Sequence, residues 1–150
     1  MFKKVSNRDV LYVSLQLFLF VLYFAVPFSF KVPEVIRYMA LIIAVVGTAE
    51  CLLAILQLNK NLTPFPTPVK GGNLIQTGIY KFVRHPIYGG LILFFTGYAV
   101  YTQNLGRIMV AMVLWILFYF KSKYEESLLR KRFPQYKSYS KTTGRLFPFV

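Results

Sequence analysis

The residues around position 85 have side chains that could bind an anion. His85, the only histidine, stands between Arg84 and Pro86 in the stretch TGIYKFVRHPIYGG, residues 77–90. Proline fits the first position of a helix and holds the preceding residue extended, so the sequence predicts a helix that begins near Pro86. Such a helix end, with unpaired N–H groups beside Arg84 and His85, could bind an anionic ligand. Alternatively, it is a turn at a membrane surface, with both side chains among lipid headgroups.

A second charged group lies near position 125. Lys121 and Glu125 are four residues apart, as are Glu126 and Arg130, so each pair shares a face if this segment is helical. Adjacent residues of a helix point roughly 100° apart. This geometry predicts that Glu125 faces inward with Lys121, while Glu126 pairs with Arg130. The alternative is a solvated helix end whose charges interact with headgroups.

The composition indicates a membrane protein. Hydrophobic residues make up 56% of the 150 residues, a content too apolar for an ordinary soluble protein of this size. The formal charge is +13. The basic residues fall between long apolar runs, a pattern that favours a membrane partner over nucleic acid. A single cysteine, Cys51, excludes an internal disulfide and a CxxC metal site. We expect one domain, residues 1–150, that binds no metal.

The apolar runs predict an all-α fold with four transmembrane helices, at residues 10–30, 38–58, 86–102 and 108–132. About 20 apolar residues suffice to cross a hydrocarbon core of about 30 Å. Residues 59–80, between the second and third helices, contain three prolines and three glycines and form a long loop. We expect this loop to be packed and functional. The fourth helix is predicted to extend beyond the bilayer and to stop at Pro134.

The distribution of lysine and arginine predicts the orientation. Three lie before the first helix, four in and just after the long loop, and eight after residue 120, whereas the two opposite connections hold three between them. By the positive-inside rule, both termini and the long loop face the cytoplasm. The sequence therefore predicts a multi-pass protein whose functional site lies on the cytoplasmic side.

The order and spacing of these motifs resemble a known superfamily. GIYKFVRHPIYGG is followed after about 35 residues by EESLLRKRFPQYKSY and then by RLFP. This arrangement is similar to the isoprenylcysteine carboxyl methyltransferase and phospholipid methyltransferase superfamily, over roughly residues 62–148. The resemblance implies S-adenosylmethionine-dependent methyl transfer, at the cytoplasmic membrane face, to a lipophilic acceptor that arrives from the bilayer. It leaves open whether oxygen, nitrogen or sulfur is methylated.

The resemblance also implies roles for individual residues. Those expected to bind the cofactor lie in the loop, at the start of the third helix and on the fourth helix: Asn73, Leu74, Ile75, Tyr80, Arg84, His85, Pro86, Ile87, Tyr88 and Glu125. Lys121 stands where the carboxyl methyltransferases place an arginine toward the substrate. Lysine lacks the planar fork that grips a carboxylate in two places. Pro134 also replaces the glycine usual in the tail motif.

Three questions stay open at the level of sequence. The chain could be a family member that has lost catalysis and acts as a membrane partner. It could also be a membrane reductase that uses a nicotinamide cofactor, because some sterol reductases resemble this family in their C-terminal portion. Glu50, an ionisable residue within a predicted transmembrane helix, could reach the site or pair with a lysine at the interface.

Overall fold

The structure is a computed structural model that describes residues 5–148, and within that range its regular elements are helical. The five α-helices of this range are α1 (Asn7–Ala25), α2 (Glu34–Leu58), α3 (Pro86–Tyr101), α4 (Leu105–Arg132) and α5 (Tyr136–Thr142). Two short 3₁₀ turns, Asn59–Asn61 and Gly78–Lys81, lie at the ends of the long loop. The predicted all-α fold is therefore confirmed.

Three of these helices are long and apolar enough to cross a membrane. They are α1, α2 with its 3₁₀ extension, and α4, whereas the apolar α3 has 16 residues. Large apolar side chains point outward from the first two, and Val21, Val35 and Leu56 are each more than 70% exposed. Such faces are what a helix presents to lipid rather than to water. The predicted count of four spans stays a prediction.

Local capping explains why α1 differs from the predicted range 10–30. Ser6 and Asp9 form a capping box, each side chain bonding the other residue's backbone N–H, so the helix starts at Asn7. It ends at Ala25, before Pro27, because a proline inside a helix removes a hydrogen bond. The predicted end at residue 30 was wrong, whereas Pro27, where the sequence allows the helix to end or kink, lies two residues beyond the observed end.

α2 begins at Glu34, four residues before its predicted start, and the other ends of α2, α3 and α4 lie within three residues of their predicted positions. α4 begins at Leu105 because the side chain of Asn104 accepts a hydrogen bond from the Arg107 N–H. It ends at Arg132, just before Pro134, as the sequence predicts. The tail was not predicted to be regular, yet it forms the seven-residue helix α5.

Small residues let α2 and α3 pack at close range. A Cβ atom built on Gly90 would lie 2.6 Å from the Gly47 carbonyl oxygen, and one on Gly97 would lie 2.5 Å from the Ala40 carbonyl oxygen. Membrane helices associate through such small-residue contacts, because lipid provides little hydrophobic driving force between them. This packing fixes α3, which begins at Pro86. Pro86 is the last residue of the sequence Arg84-His85-Pro86, called the RHP turn below.

The close packing predicts that a larger residue at position 97 destabilises the protein. Gly97→Leu would force α3 away from the α2 backbone, at a cost of at least about 1–3 kcal/mol. We expect a lower unfolding temperature in detergent, measured by intrinsic fluorescence. Val46→Leu, on the exposed face of α2, is the control and should change little. Equal unfolding temperatures for the two variants would contradict this packing.

Candidate functional site

The segment before α3 is held by the tail of the chain. The backbone N–H groups of Arg84 and His85 donate to the carbonyl oxygens of Gly144 and Arg145, both at 2.9 Å. The Gly144 N–H returns a bond of 3.1 Å to the Phe82 carbonyl. These bonds form a parallel β-bridge between Val83 and Gly144, which brings the tail beside the start of α3.

The start of α3 is less open to anions than the sequence suggests. Pro86 occupies the first helical position, as predicted, and has no N–H. The N–H groups of Tyr88 and Gly89 both donate to the His85 carbonyl at 3.1 Å. Most N–H groups of the first turn are therefore absent or already paired. Fewer backbone N–H groups are therefore available to an anion at this helix end than the sequence predicted.

Glu126 lies at the centre of a buried ionic cluster. Its carboxylate is 2.7 Å from Arg84 Nε, 3.3 Å from Arg145 Nη2 and 3.5 Å from Arg130 Nη2. The Glu126 side chain is 3% exposed, whereas that of Arg130 is 55% exposed. The predicted pairing with Arg130 therefore exists, but it is the outer contact of the cluster. The main partners come from the start of α3 and from the tail, which local helical spacing could not indicate.

Arg84 is engaged mainly with the protein itself. Besides its bond to Glu126, its Nη1 donates to the carbonyl oxygens of Ser140 and Thr143. Its side chain is 9% exposed. Its Nε and Nη1 join α4 and the tail to the segment before α3, and its expected role toward an anionic ligand stays a prediction.

Glu125 points away from this cluster, as predicted, but it forms no ion pair with Lys121 and is the more exposed of the two glutamates. Its Oε2 accepts a hydrogen bond of 2.8 Å from the hydroxyl of Tyr88 and lies 3.8 Å from His85 Nδ1. The rings of His85 and Tyr88 stack at 5.6 Å, and Tyr88 stacks in turn on Phe118 at 5.1 Å. The Glu125 carboxylate is thus oriented by Tyr88 in the first turn of α3 and by His85 just before it. The Glu125 side chain is 25% exposed.

A cavity of about 350 Å³ opens between the long loop, α1, α2, α3, α4 and α5. Every residue that the sequence analysis assigned to the cofactor or the substrate lines it: Asn73, Leu74, Ile75, Tyr80, Arg84, His85, Pro86, Ile87, Tyr88, Lys121 and Glu125. Their roles toward a ligand stay predictions. The cavity wall also contains apolar side chains, so it is of mixed polar and apolar character.

The residues of the cavity wall that the sequence analysis did not assign include Gln16, Tyr136 and Tyr139. Gln16 of α1 accepts a hydrogen bond of 2.6 Å from Lys121 Nζ. Tyr136 and Tyr139 belong to α5. Tyr136 is buried, with 1% of its surface exposed, and the Tyr139 hydroxyl donates a hydrogen bond to the Tyr80 carbonyl oxygen. Gln16 could have been noticed in the sequence, because its amide is a polar group within an otherwise apolar run. The two tyrosines carried no such signal, because aromatic residues are abundant throughout the chain.

Burial shapes the hydrogen-bonding of the tyrosines outside the long helices. It raises the pKa of Tyr139 to about 12 and raises the pKa of Tyr80 and of Tyr136 as well. These hydroxyls therefore stay protonated and can donate hydrogen bonds at neutral pH. The buried Tyr136 hydroxyl has no hydrogen-bond partner among the described residues, whereas His85 Nε2 lies 3.5 Å from Glu126 Oε1, and both residues line the cavity. Buried polar atoms of this kind are costly without a partner.

Fold and cavity together define a helical membrane protein with a ligand-sized site beside the RHP turn. The family model for phospholipid methyltransferases matches residues 35–136. Because that match covers more than half of the chain, the protein belongs to this family. It is thereby placed in the predicted superfamily, which also includes the isoprenylcysteine carboxyl methyltransferases.

Individual relatives agree with the family assignment. A probable protein-S-isoprenylcysteine O-methyltransferase from Oryza sativa subsp. indica is 28% identical over 122 residues, covering 77% of this chain and 62% of the relative. Protein-S-isoprenylcysteine O-methyltransferase B from Arabidopsis thaliana is 34% identical over 79 residues, or 51% of this chain and 40% of the relative. The chain thus spans less than two thirds of the length of these relatives.

A solved structure shares the fold. The eukaryotic intramembrane Ras methyltransferase, an isoprenylcysteine carboxyl methyltransferase, matches with a TM-score of 0.72 and 24% sequence identity. The match covers 97% of this chain and 55% of that one. With the apolar helices described above, this likeness identifies the chain as an integral membrane protein.

The ionic cluster predicts that Glu126 matters more for stability than an exposed glutamate does. Glu126→Gln would leave the partly buried guanidinium groups of Arg84 and Arg145 without their counter-charge, at a cost of about 2–4 kcal/mol. We expect a clearly lower unfolding temperature in detergent. Glu34→Gln, which removes an exposed carboxylate at the start of α2, is the control. A Glu126→Gln protein as stable as this control would show that the cluster contributes little.

Proposed function

We propose that this chain is an S-adenosylmethionine-dependent methyltransferase that acts on a lipophilic acceptor at a membrane surface. The observation that carries the proposal is a convergence on one cavity. Residues 73–75 of the loop, the first turn of α3, and Glu125 of α4 are far apart in sequence, yet all line it. These are the residues to which the family resemblance assigns the cofactor.

The cavity has properties that fit this cofactor. Its volume of about 350 Å³ is in the range of small-molecule sites. The unpartnered Tyr136 hydroxyl and the oriented carboxylate of Glu125 offer a donor and an acceptor for the cofactor's amine, hydroxyl and carboxylate groups. The aromatic side chains of Tyr80 and Tyr88 line the same wall, and aromatic faces stabilise cations.

The cofactor would supply an activated methyl group on a positively charged sulfur. The protein's own contribution is then to bind, to orient and to exclude water, so no enzyme nucleophile is required. Tyr88 fixes the Glu125 carboxylate through its hydroxyl and is itself stacked against the rings of His85 and Phe118. A side chain restrained by stacking and by a hydrogen bond loses little orientation when a ligand binds, which favours a pre-organised site.

The acceptor is proposed to reach the cavity from the bilayer. Much of the cavity wall is apolar, with Leu62, Phe65, Leu91 and Leu129 among its residues. The names of the relatives specify S-isoprenylcysteine proteins and that of the matching family specifies phospholipids. Both are lipophilic groups at a membrane surface. The atom that is methylated is left to experiment.

Binding and transfer test the proposal directly. The purified protein should bind S-adenosylhomocysteine in calorimetry and should transfer a labelled methyl group from S-adenosylmethionine to a membrane lipid extract. Glu125→Gln should weaken cofactor binding about ten- to a hundredfold, because a charged hydrogen bond to a buried group contributes about 1.5–3 kcal/mol. The control Glu34→Gln should bind like the unmodified protein.

The outcomes separate the proposal from its alternatives. Cofactor binding without transfer to any component of the extract would indicate a member that has lost catalysis. Binding of a reduced nicotinamide cofactor in place of S-adenosylhomocysteine would indicate a reductase. Unchanged affinity in Glu125→Gln would remove that residue from the site, provided that the variant unfolds at the same temperature as the control.

We further propose four spans, with both termini and the cavity on the cytoplasmic side. The excess of lysine and arginine in the long loop and after residue 120 supports this orientation. A reporter enzyme fused after Val150 that is active only in the cytoplasm should therefore be active. A fusion active only outside the cytoplasm would reverse the orientation, and the same reporter fused between α1 and α2 provides the opposite control.

A further inference from the structure

One face of α1 is directed toward α4 although most of this helix is apolar. Asp9, Tyr12, Gln16, Leu19 and Tyr23 recur every three or four residues, the spacing of one helical face. Along this face the Tyr12 ring stacks on Tyr124 at 5.7 Å, and the Tyr23 hydroxyl donates to the Phe95 carbonyl at 2.6 Å. The whole of α1 lies before the segment that matches the family, residues 35–136.

Lys121 of α4 is a buried cation whose charge is incompletely matched. It is 1% exposed, and its Nζ donates to Gln16 Oε1 at 2.6 Å. Among residues 5–148 no carboxylate lies within 4.0 Å of this nitrogen, although Glu125 and Asp9 act on its charge from a greater distance. The nitrogen also lies 5.2 Å from the centroid of the Tyr88 ring. An ammonium group has three donors, so an amide oxygen alone leaves it under-satisfied.

Both side chains line the cavity, so the amide determines where the ammonium sits within it. Gln16 is half-buried in the cavity wall, which Lys121, Tyr88 and Leu91 also line. A neutral amide holds the ammonium by a hydrogen bond but leaves its charge uncancelled. A carboxylate in the same place would instead form an ion pair and remove that charge from the cavity.

We propose that Gln16 is a specificity-determining residue: it positions Lys121 so that the cavity selects ligands with a negatively charged oxygen at their polar end. This inference rests on the proposed function in taking that ligand to be the methyl acceptor. The selection itself is a property of the two side chains and can be measured without any turnover. Gln16 acts through Lys121 and is therefore a positioning residue.

The test compares two ligands that differ only in charge. N-acetyl-S-isoprenylcysteine, with a free carboxylate, and its uncharged carboxamide are titrated into the detergent-solubilised protein, with and without S-adenosylhomocysteine. We expect the unmodified protein to bind the acid roughly tenfold more tightly than the amide, the size of a charge-assisted hydrogen bond. Gln16→Glu should abolish this preference, because the new carboxylate pairs with Lys121. Gln16→Leu should reduce it by releasing the ammonium from its position.

Gln57→Glu is the matched control, since it makes the same change on the exposed end of α2, where the side chain contacts the backbone of Ile79. It should keep the preference for the acid. Equal binding of acid and amide by the unmodified protein, binding of neither, or an unchanged preference in Gln16→Glu would each overturn the proposal. Failure to bind S-adenosylhomocysteine would instead count against the proposed function, since the acid and amide are also compared in its absence.

Discussion

The buried carboxylate of Glu126 is the interaction on which the rest of the site depends. Removing a carboxylate from water is costly unless several partners surround it. Here Arg84 comes from the segment before α3 and Arg145 from the tail, so one side chain joins three segments that are distant in sequence. Because adjacent residues of a helix point roughly 100° apart, fixing Glu126 in this cluster directs Glu125 toward the cavity.

The long loop is held from two sides, which gives the cavity a defined wall. On one side, Asp9 of α1 accepts a hydrogen bond of 2.6 Å from the Thr67 hydroxyl. On the other, Arg132 at the end of α4 donates to the carbonyl oxygens of Pro68 and Gly72 at 3.0 and 3.3 Å. A loop with three prolines loses less entropy on ordering than a flexible one, so a few such contacts suffice to place it. α1 therefore contributes to the site although it lies outside the family match.

The sequence predicted what is encoded locally and missed what depends on distant partners. Pro86 marks the start of α3 by its own chemistry, and the directions of the two glutamates follow from helix geometry alone. Helical spacing also offered Arg130 as the partner of Glu126, but the shorter contact, to Arg84, crosses 42 residues. The contact between Gln16 and Lys121 crosses 105 residues. No periodicity in a single sequence indicates which apolar helices will be neighbours, so these pairs became visible only in the fold.

The central claim is that the cavity beside the RHP turn holds S-adenosylmethionine against Glu125. An experimental structure of the detergent-solubilised protein with S-adenosylhomocysteine tests it most directly. The account predicts ligand density between residues 73–75 and Tyr88, with a polar group of the ligand within hydrogen-bond distance of the Glu125 carboxylate. Density at another place in the molecule, or a ligand in the cavity that makes no contact with Glu125, would contradict it.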